Sequence, residues 1–250
     1  MKSSSISCII PVFNGERYLP EAVESALSQT CPPFEIIIAD DGSTDGTAEI
    51  AARYGARVRY VKQENSGAAA ARNLGLRAAR GEFIAFLDAD DLWHVEKLAR
   101  QMARFQQRPE LDLCIAHLQN FWIPELATEK SRFEGHRLAE VLPGYVTSTL
   151  LARRQLFERI GEFNAGLRLG DGTDWFLRAA EHGAVMELLP DVLLYRRMHE
   201  HNISMEAGSR RMTAAMQNAQ LGAVKASLDR RRRRNQNVPL KFPTSGDRKP

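Results

Sequence analysis

Phe83-Ile84-Ala85-Phe86-Leu87-Asp88-Ala89-Asp90-Asp91 carries an apolar run straight into three carboxylates within four residues. The run has the character of a strand buried on both faces, with charge delivered at its end. Carboxylates gathered away from water are costly unless a cation compensates them. Hard divalent ions such as Mg²⁺ and Mn²⁺ prefer carboxylate oxygens and bridge protein to phosphate. Asp88 and Asp90 are therefore candidate metal ligands. Asp91 has a second reading, as an acidic residue that offsets the dipole of a following helix.

Outward from this stretch, strand-like and helix-like segments alternate. Residues 5–12 and 34–39 are continuous apolar runs, 57–61 is a short strand, and 82–87 holds the run quoted above. Between them, 16–29 places Leu19, Ala22, Val23, Ala26 and Leu27 on one helical stripe, with Pro20 tolerable in the first turn. Residues 44–54 read as a helix capped by Ser43 or Thr44, 66–79 as an alanine-rich helix closed by Gly81, and 94–107 as a helix stopped by Pro109. This alternation predicts an α/β domain with a largely parallel sheet covered on both sides. Pro11-Val12-Phe13-Asn14, Asp40-Asp41-Gly42-Ser43 and Asp88-Ala89-Asp90 all fall where a strand ends and a helix begins. In an open parallel sheet those ends share one edge, so the three motifs converge on one ligand crevice.

The later chain is less regular. A strand is expected over 111–116, polar and weakly periodic sequence over 121–145, and helices over 155–160 and 173–181, the latter with Trp175, Phe176, Ala179 and Ala180 available for packing. Residues 185–189 and 192–195 are strand-like and split by Pro190, and 207–228 reads as a terminal helix.

A chain of 250 residues with 44% hydrophobic and 26% charged residues can bury the core of one large domain. Cys8 and Cys114 lie in apolar runs and Cys31 stands apart, so the odd set of 3 cysteines favours a reducing compartment. The N-terminal apolar segment is broken by Ser7 and Pro11 and is no signal peptide, and no stretch is long enough for a membrane span. The expectation is a soluble, cytoplasmic protein. Its net charge of +3 conceals an asymmetry: from Lys225 onward, nine Lys and Arg face two Asp, so the preceding residues are net acidic. The run Arg230 to Arg234 reads as part of a disordered tail over 229–250, either simply solvated or attracted to anionic lipid head groups at the inner face of a membrane. Nucleic acid is not the expected partner, because no aromatic residue is interleaved with the arginines.

The chain has no Gly-x-Gly-x-x-Gly after its first strand, no Walker-type phosphate loop and no cysteine or histidine pair at zinc spacing. What remains is a metal-dependent site for a pyrophosphate ligand, with a base stacked near Phe13 and its ring N–H given to Asp41. Phe13 in the core and Asp41-Gly42 as turn chemistry are the alternatives.

Ile9-Ile10-Pro11-Val12-Phe13-Asn14-Gly15-Glu16-Arg17-Tyr18-Leu19, Glu35 to Asp45, Glu64-Asn65-Ser66-Gly67 through Ala71-Arg72-Asn73, and Leu87 to Asp91 follow one another in an order that resembles the family 2 glycosyltransferases. The resemblance implies a GT-A fold, an inverting transfer from a nucleotide-activated sugar, and Mg²⁺ or Mn²⁺ as cofactor. It divides the domain into a nucleotide-sugar-binding half over 1–120 and an acceptor-binding, catalytic half over 121–205. By position, Pro11, Phe13 and Glu16 would line the nucleoside pocket and Asp41 would bind the base, which suits uracil. Arg72 would lie near the diphosphate, with a solvated helix charge as its alternative. Asp88 would lie near the ribose or the metal, Asp90 would coordinate the metal, and His199 in the closing segment Tyr195 to Ser204 would be a further ligand, His201 a weaker one.

The base is where the sequence departs from the family. Inverting displacement needs a carboxylate to take the acceptor's proton, and the position where the family places it falls on Gly172. Asp171 is adjacent, and Asp174 is a second candidate whose alternative is capping a helix start. Three readings stay open: a single-transfer glycosyltransferase using a nucleotide-diphospho-sugar, a UDP-sugar in the first instance, on an unidentified acceptor (glycan, lipid-linked, peptide or small molecule); a catalytically impaired nucleotide-sugar-binding partner protein; and a nucleotidyltransferase of related architecture.

Overall fold

The computed structural model describes residues 5–126, 139–200 and 202. In chain order its first half comprises β1 (Ile6–Val12), α1 (Leu19–Leu27), β2 (Glu35–Asp40), α2 (Thr47–Arg53), β3 (Arg59–Lys62), α3 (Ala68–Ala78) and β4 (Phe83–Phe86). There follow β5 (Leu92–Trp93), α4 (Lys97–Gln107), β6 (Leu113–Trp122), β7 (Val141–Pro143), β8 (Leu151–Arg153), α5 (Arg154–Ile160), α6 (Asp171–Glu181) and β9 (Met186–Met198). The strands form one mixed sheet in the order β3-β2-β1-β4-β8-β6-β9-β5, with β7 also paired to β6. β3, β2, β1 and β4 are mutually parallel, β8 runs antiparallel to β4 and β6, and β9 is parallel to β6. This is the α/β architecture expected from the alternation of segments.

Every residue of β1 is buried, which is why its sequence is apolar without alternation. Cys8, Ile10 and Val12 face one core with α1 and α4, while Ile9 faces the other with α3, α5 and α6. α3 lies close enough to β1 that a Cβ on Gly75 would come 2.2 Å from Ile9 Cγ2, so only glycine fits that crossing. Pro11 sits in a central strand without breaking it. On the β4 side the ladder ends with Leu87 N donating to Ile9 O, so the residue without an N–H falls where that pairing stops. In the second core Trp175 of α6 stacks on Phe157 at 4.6 Å, and Phe163 meets Phe86 edge-on at 5.3 Å. Such ring pairs contribute about 0.5–1.5 kcal/mol each beyond their buried area, and they seat α6 on the sheet.

Several local expectations are corrected. The helix expected over 44–54 starts at Thr47 with Gly46 at its N-cap, because Ser43 and Thr44 are engaged with Asn14 instead. The helix expected from residue 94 starts at Lys97, since Leu92 and Trp93 pair with Tyr195 and Leu194. Asp91 therefore stands six residues before α4 and does not offset its dipole. Pro190 does not split the last strand. β9 runs unbroken from Met186 to Met198, and the proline falls at a register shift against β6 between Ala116 and His117, where a bulge tolerates a residue with no N–H. The strand expected over 111–116 runs instead from Leu113 to Trp122 as β6. The expected helix over 207–228 and the tail over 229–250 lie outside the described residues.

Candidate functional site

The carboxyl ends of β1, β2 and β4 lie side by side, and their loops are stitched together. Asn14 adopts φ 51, a left-handed conformation that asparagine tolerates. In that pose its N–H donates to Ser43 Oγ at 2.8 Å and its Oδ1 accepts from Thr44 N at 2.9 Å. Glu16 closes the same seam, its carboxylate accepting from Gly46 N at 3.1 Å. Phe13 is 51% exposed at this rim, which removes the core alternative. Pro11 is buried just beneath it.

Asp41 does more than make a turn. Its Oδ1 accepts from Gln63 Nε2 at 2.8 Å and Ser66 N at 2.9 Å, and its Oδ2 from Gly67 N at 2.7 Å. The carboxylate thus anchors the loop that enters α3, and Oδ2 keeps acceptor capacity for one further donor. Gly42 has φ +85, and a Cβ there would come 2.9 Å from Asn65 N, so the tight approach of the two loops demands glycine.

Arg72 of α3 is the centre of the next cluster. The solvated alternative fails: the residue is 9% exposed, with Nη1 donating to Asp171 Oδ2 at 2.7 Å and Nη2 to Asp88 Oδ1 at 2.9 Å. Its Nε is buried without a partner. Burial depresses the guanidinium pKa, but the charges of Asp88 and Asp171 outweigh it and leave the group above its ordinary value. Asn73, to which the sequence reading gave no role, ties α3 to the segment that precedes α6. Its side chain donates to Phe163 O and accepts from Phe163 N, both at 2.9 Å, fixing the segment that leads to α6.

Asp171 is the first residue of α6, where a carboxylate is favoured by the helix dipole. Gly172 follows it, and a Cβ there would meet Thr147 Cγ2 at 3.2 Å. Asp174 is not a cap, since Gly170 holds the N-cap position. It is 1% exposed, and its Oδ2 accepts from Arg178 Nε at 2.9 Å. Arg178 in turn donates to the carbonyls of Ile160 and Glu162, so Asp174 belongs to the junction of α5 and α6.

Beside this cluster Asp90 Oδ2 stands 2.9 Å from His199 Nε2 and accepts from Asn202 Nδ2 at 3.1 Å. Asn202 also accepts from His199 N at 2.6 Å, holding the closing segment against the acidic turn. Asp91 is buried and accepts from Arg197 N at 3.0 Å. Burial, with the nearby charges of Asp90 and Asp88, raises its carboxyl well above the usual range. His201 lies outside the described residues.

Among the described residues, no three His, Cys, Asp or Glu side chains are grouped so as to hold a metal ion by themselves. Asp90 and His199, joined here by a direct hydrogen bond, would supply two ligands to one if that bond opened. Mg²⁺-type sites commonly take few protein ligands and complete their shell with water and substrate phosphate. Asp88, bound to Arg72, sits on the guanidinium side of this arrangement. A cavity of about 400 Å³ lined by Glu82, Phe83, Met102, Phe105 and Arg153 shares none of these residues and opens at the other end of β4.

Comparisons with known proteins bear on this arrangement. S. aureus TarS 1–349, solved in complex with UDP-GlcNAc, superposes with a TM-score of 0.65 at 24% identity, over 79% of this chain and 60% of that one. At that identity the likeness is one of fold, and the fold is GT-A. The family model for glycosyl transferase family 2 matches residues 7–161. An uncharacterized glycosyltransferase of Rickettsia typhi, RT0329, is 33% identical over 186 residues, covering 70% of this chain and 58% of its own length. Another from Nostoc sp., alr2836, is 31% identical over 228 residues, covering 82% of this chain and 68% of its own length. This chain belongs to glycosyl transferase family 2.

Proposed function

We propose that the chain is an inverting, metal-dependent glycosyltransferase that moves a sugar from a nucleotide-diphospho-sugar, with UDP as the nucleotide, to an acceptor hydroxyl. The observation that carries the proposal is Arg72 bridging Asp88 and Asp171 next to the Asp90–His199 pair, all at the carboxyl edge of the sheet. UDP-GlcNAc bound to TarS, a neighbour of the same fold, supports the choice of donor.

In this reading the base lies against exposed Phe13 and gives its ring N–H to Asp41 Oδ2. Asp90 and His199 would hold the divalent ion, which supplies positive charge to the diphosphate as it departs. Arg72 faces the same diphosphate through its guanidinium. Asp171 takes the proton of the acceptor hydroxyl while that oxygen bonds to the anomeric carbon, and the bond from that carbon to the diphosphate oxygen breaks on the opposite face. Asp174, tied to Arg178, plays no part in proton transfer. The test is incubation with UDP-sugars and Mn²⁺, with and without EDTA. Release of UDP together with a glycosylated product that EDTA abolishes supports the proposal; no UDP release with any sugar nucleotide that binds overturns it.

Gly172 favours a second reading, a nucleotide-sugar-binding partner protein without turnover. Restoration of transfer by Gly172→Asp, whose Cβ needs only a small shift of Thr147, would establish it. Among the described residues no helix is long and apolar enough to cross a membrane. We place the protein in the cytoplasm, with Arg230 to Arg234 drawing it to anionic lipid, and sedimentation with anionic vesicles tests this.

A further inference from the structure

Arg197 lies near the end of β9, buried, and none of the reaction steps above uses it. Its contacts join the acidic turn and the surroundings of His199 to α1 and β6. Nε donates to the carbonyl of Asp90 at 3.0 Å, and the backbone N of Arg197 donates to Asp91 Oδ1 at 3.0 Å. Nη2 donates to Glu21 Oε2 of α1 at 2.8 Å. The guanidinium is held between two rings, 4.6 Å from Tyr18 and 4.8 Å from Phe121. Tyr18 in turn lies 4.8 Å from the imidazole of His199.

A planar guanidinium clamped between aromatic faces has little freedom, and its fork has fixed directions. One branch is aimed at the main chain of Asp90, and the tyrosine that flanks it also flanks His199. The two residues that stand 2.9 Å apart are thereby set from a common point. Asn202 holds the carboxylate of Asp90, while Arg197 holds its main chain in a turn whose neighbouring carboxylates repel one another.

We propose that Arg197 is the positioning residue of the metal pair: it holds the carboxylate of Asp90 and the imidazole of His199 side by side, within reach of one divalent ion, before the ion arrives. The inference rests on the metal reading of Asp90 and His199. Outer residues that orient ligands in this way typically account for 10- to 100-fold in metal affinity. Lysine keeps the charge of Arg197 but has neither the fork nor the flat face, so it serves as the conservative variant.

The experiment measures Mn²⁺ alone binding to the full chain, from the electron paramagnetic resonance signal of the free ion, at a temperature where near-ultraviolet circular dichroism shows each variant folded. Arg197→Lys is expected to weaken Mn²⁺ about tenfold or more. Glu21→Ala removes an exposed anchor of the same guanidinium and is expected to weaken Mn²⁺ by a few fold, and it decides the matter if Arg197→Lys does not fold. A merely structural arginine would lower the melting temperature and leave the affinity of the folded protein unchanged. Asp90→Asn separates the two levels of the argument. If it binds Mn²⁺ as the wild type does, or if the wild type binds none, the metal reading falls. If it loses the ion while Arg197→Lys, or Glu21→Ala in its place, keeps wild-type affinity, the role of Arg197 alone is overturned.

Discussion

Lys97 offers a sharp test of how the site is supported. Its side chain is fully buried at the start of α4, with Nζ donating to Gln101 Oε1 at 2.9 Å and lying 4.2 Å from the centre of the Trp93 ring. Trp93 Nε1 donates to Ser148 O at 2.8 Å, and Ser148 Oγ accepts from Asp88 N at 3.2 Å, so the lysine lies beneath the acidic rim. Burial without a carboxylate lowers its pKa from 10.5 to about 7. The sign follows directly. Between these two values the unfolded chain holds the proton and the folded chain does not, so stability rises with pH there and is flat below it. Integrating one such proton from pH 7 to pH 9 gives a gain of roughly 2 kcal/mol. Cys8 and Cys114, each pushed up to about 12 by burial, act oppositely as unfolded thiols ionise near 9. Comparison with Lys97→Met removes that complication, because the thiols and Asp91 titrate in both proteins. Urea denaturation followed by tryptophan fluorescence at pH 6, 7, 8 and 9 should show the stability of the wild type climbing on that of Lys97→Met by about 2 kcal/mol between pH 7 and 9. A difference that stays constant over this range would refute the reasoning.

Three further outcomes bear on the site. Asp90→Ala should abolish Mn²⁺-dependent stabilisation by UDP in thermal-shift measurements, and an unimpaired variant would remove Asp90 from the ligand set. Asp171→Asn should leave donor affinity nearly unchanged and lower turnover by a factor on the order of 10² to 10⁴; full turnover would exclude it as the base. Asn73→Ala should cost about 2 kcal/mol, since it leaves both the N–H and the carbonyl of Phe163 without partners. The same variant should lower turnover more than donor binding, because the segment leading to Asp171 loses an anchor, and equal effects on both would argue against that coupling.

The parallel half of the sheet was legible because its signals are local. Continuous apolar runs report burial on both faces, and the residues that follow each run must lie at the carboxyl edge whatever the rest of the fold does. Hence Asn14, Asp41 and Asp88 could be placed on one rim from sequence. Signals from the second half were misread where packing overrides local rules. Pro190 looked like a strand breaker, yet the register shift against β6 accommodates it. Asp91 looked like an acidic residue placed just before a helix, yet Leu92 and Trp93 are drawn into a strand by β9. The choice between Asp171 and Asp174 was open for a different reason: they are equally acidic on paper and differ only in their surroundings.

By itself the sequence determined the class of fold, the crevice and the residue types gathered there, because hydrophobic periodicity and strand-end motifs act over a few residues. Which side chains meet was decided by the tertiary structure alone. Arg72 reaches Asp171 across 99 positions and Asp90 reaches His199 across 109. Such contacts depend on how β9 and α6 close over the first four strands. Burial then does what no spacing can reveal: it turns Arg72 from a solvated charge into a bridge and commits Asp174 to Arg178, leaving Asp171 at the rim.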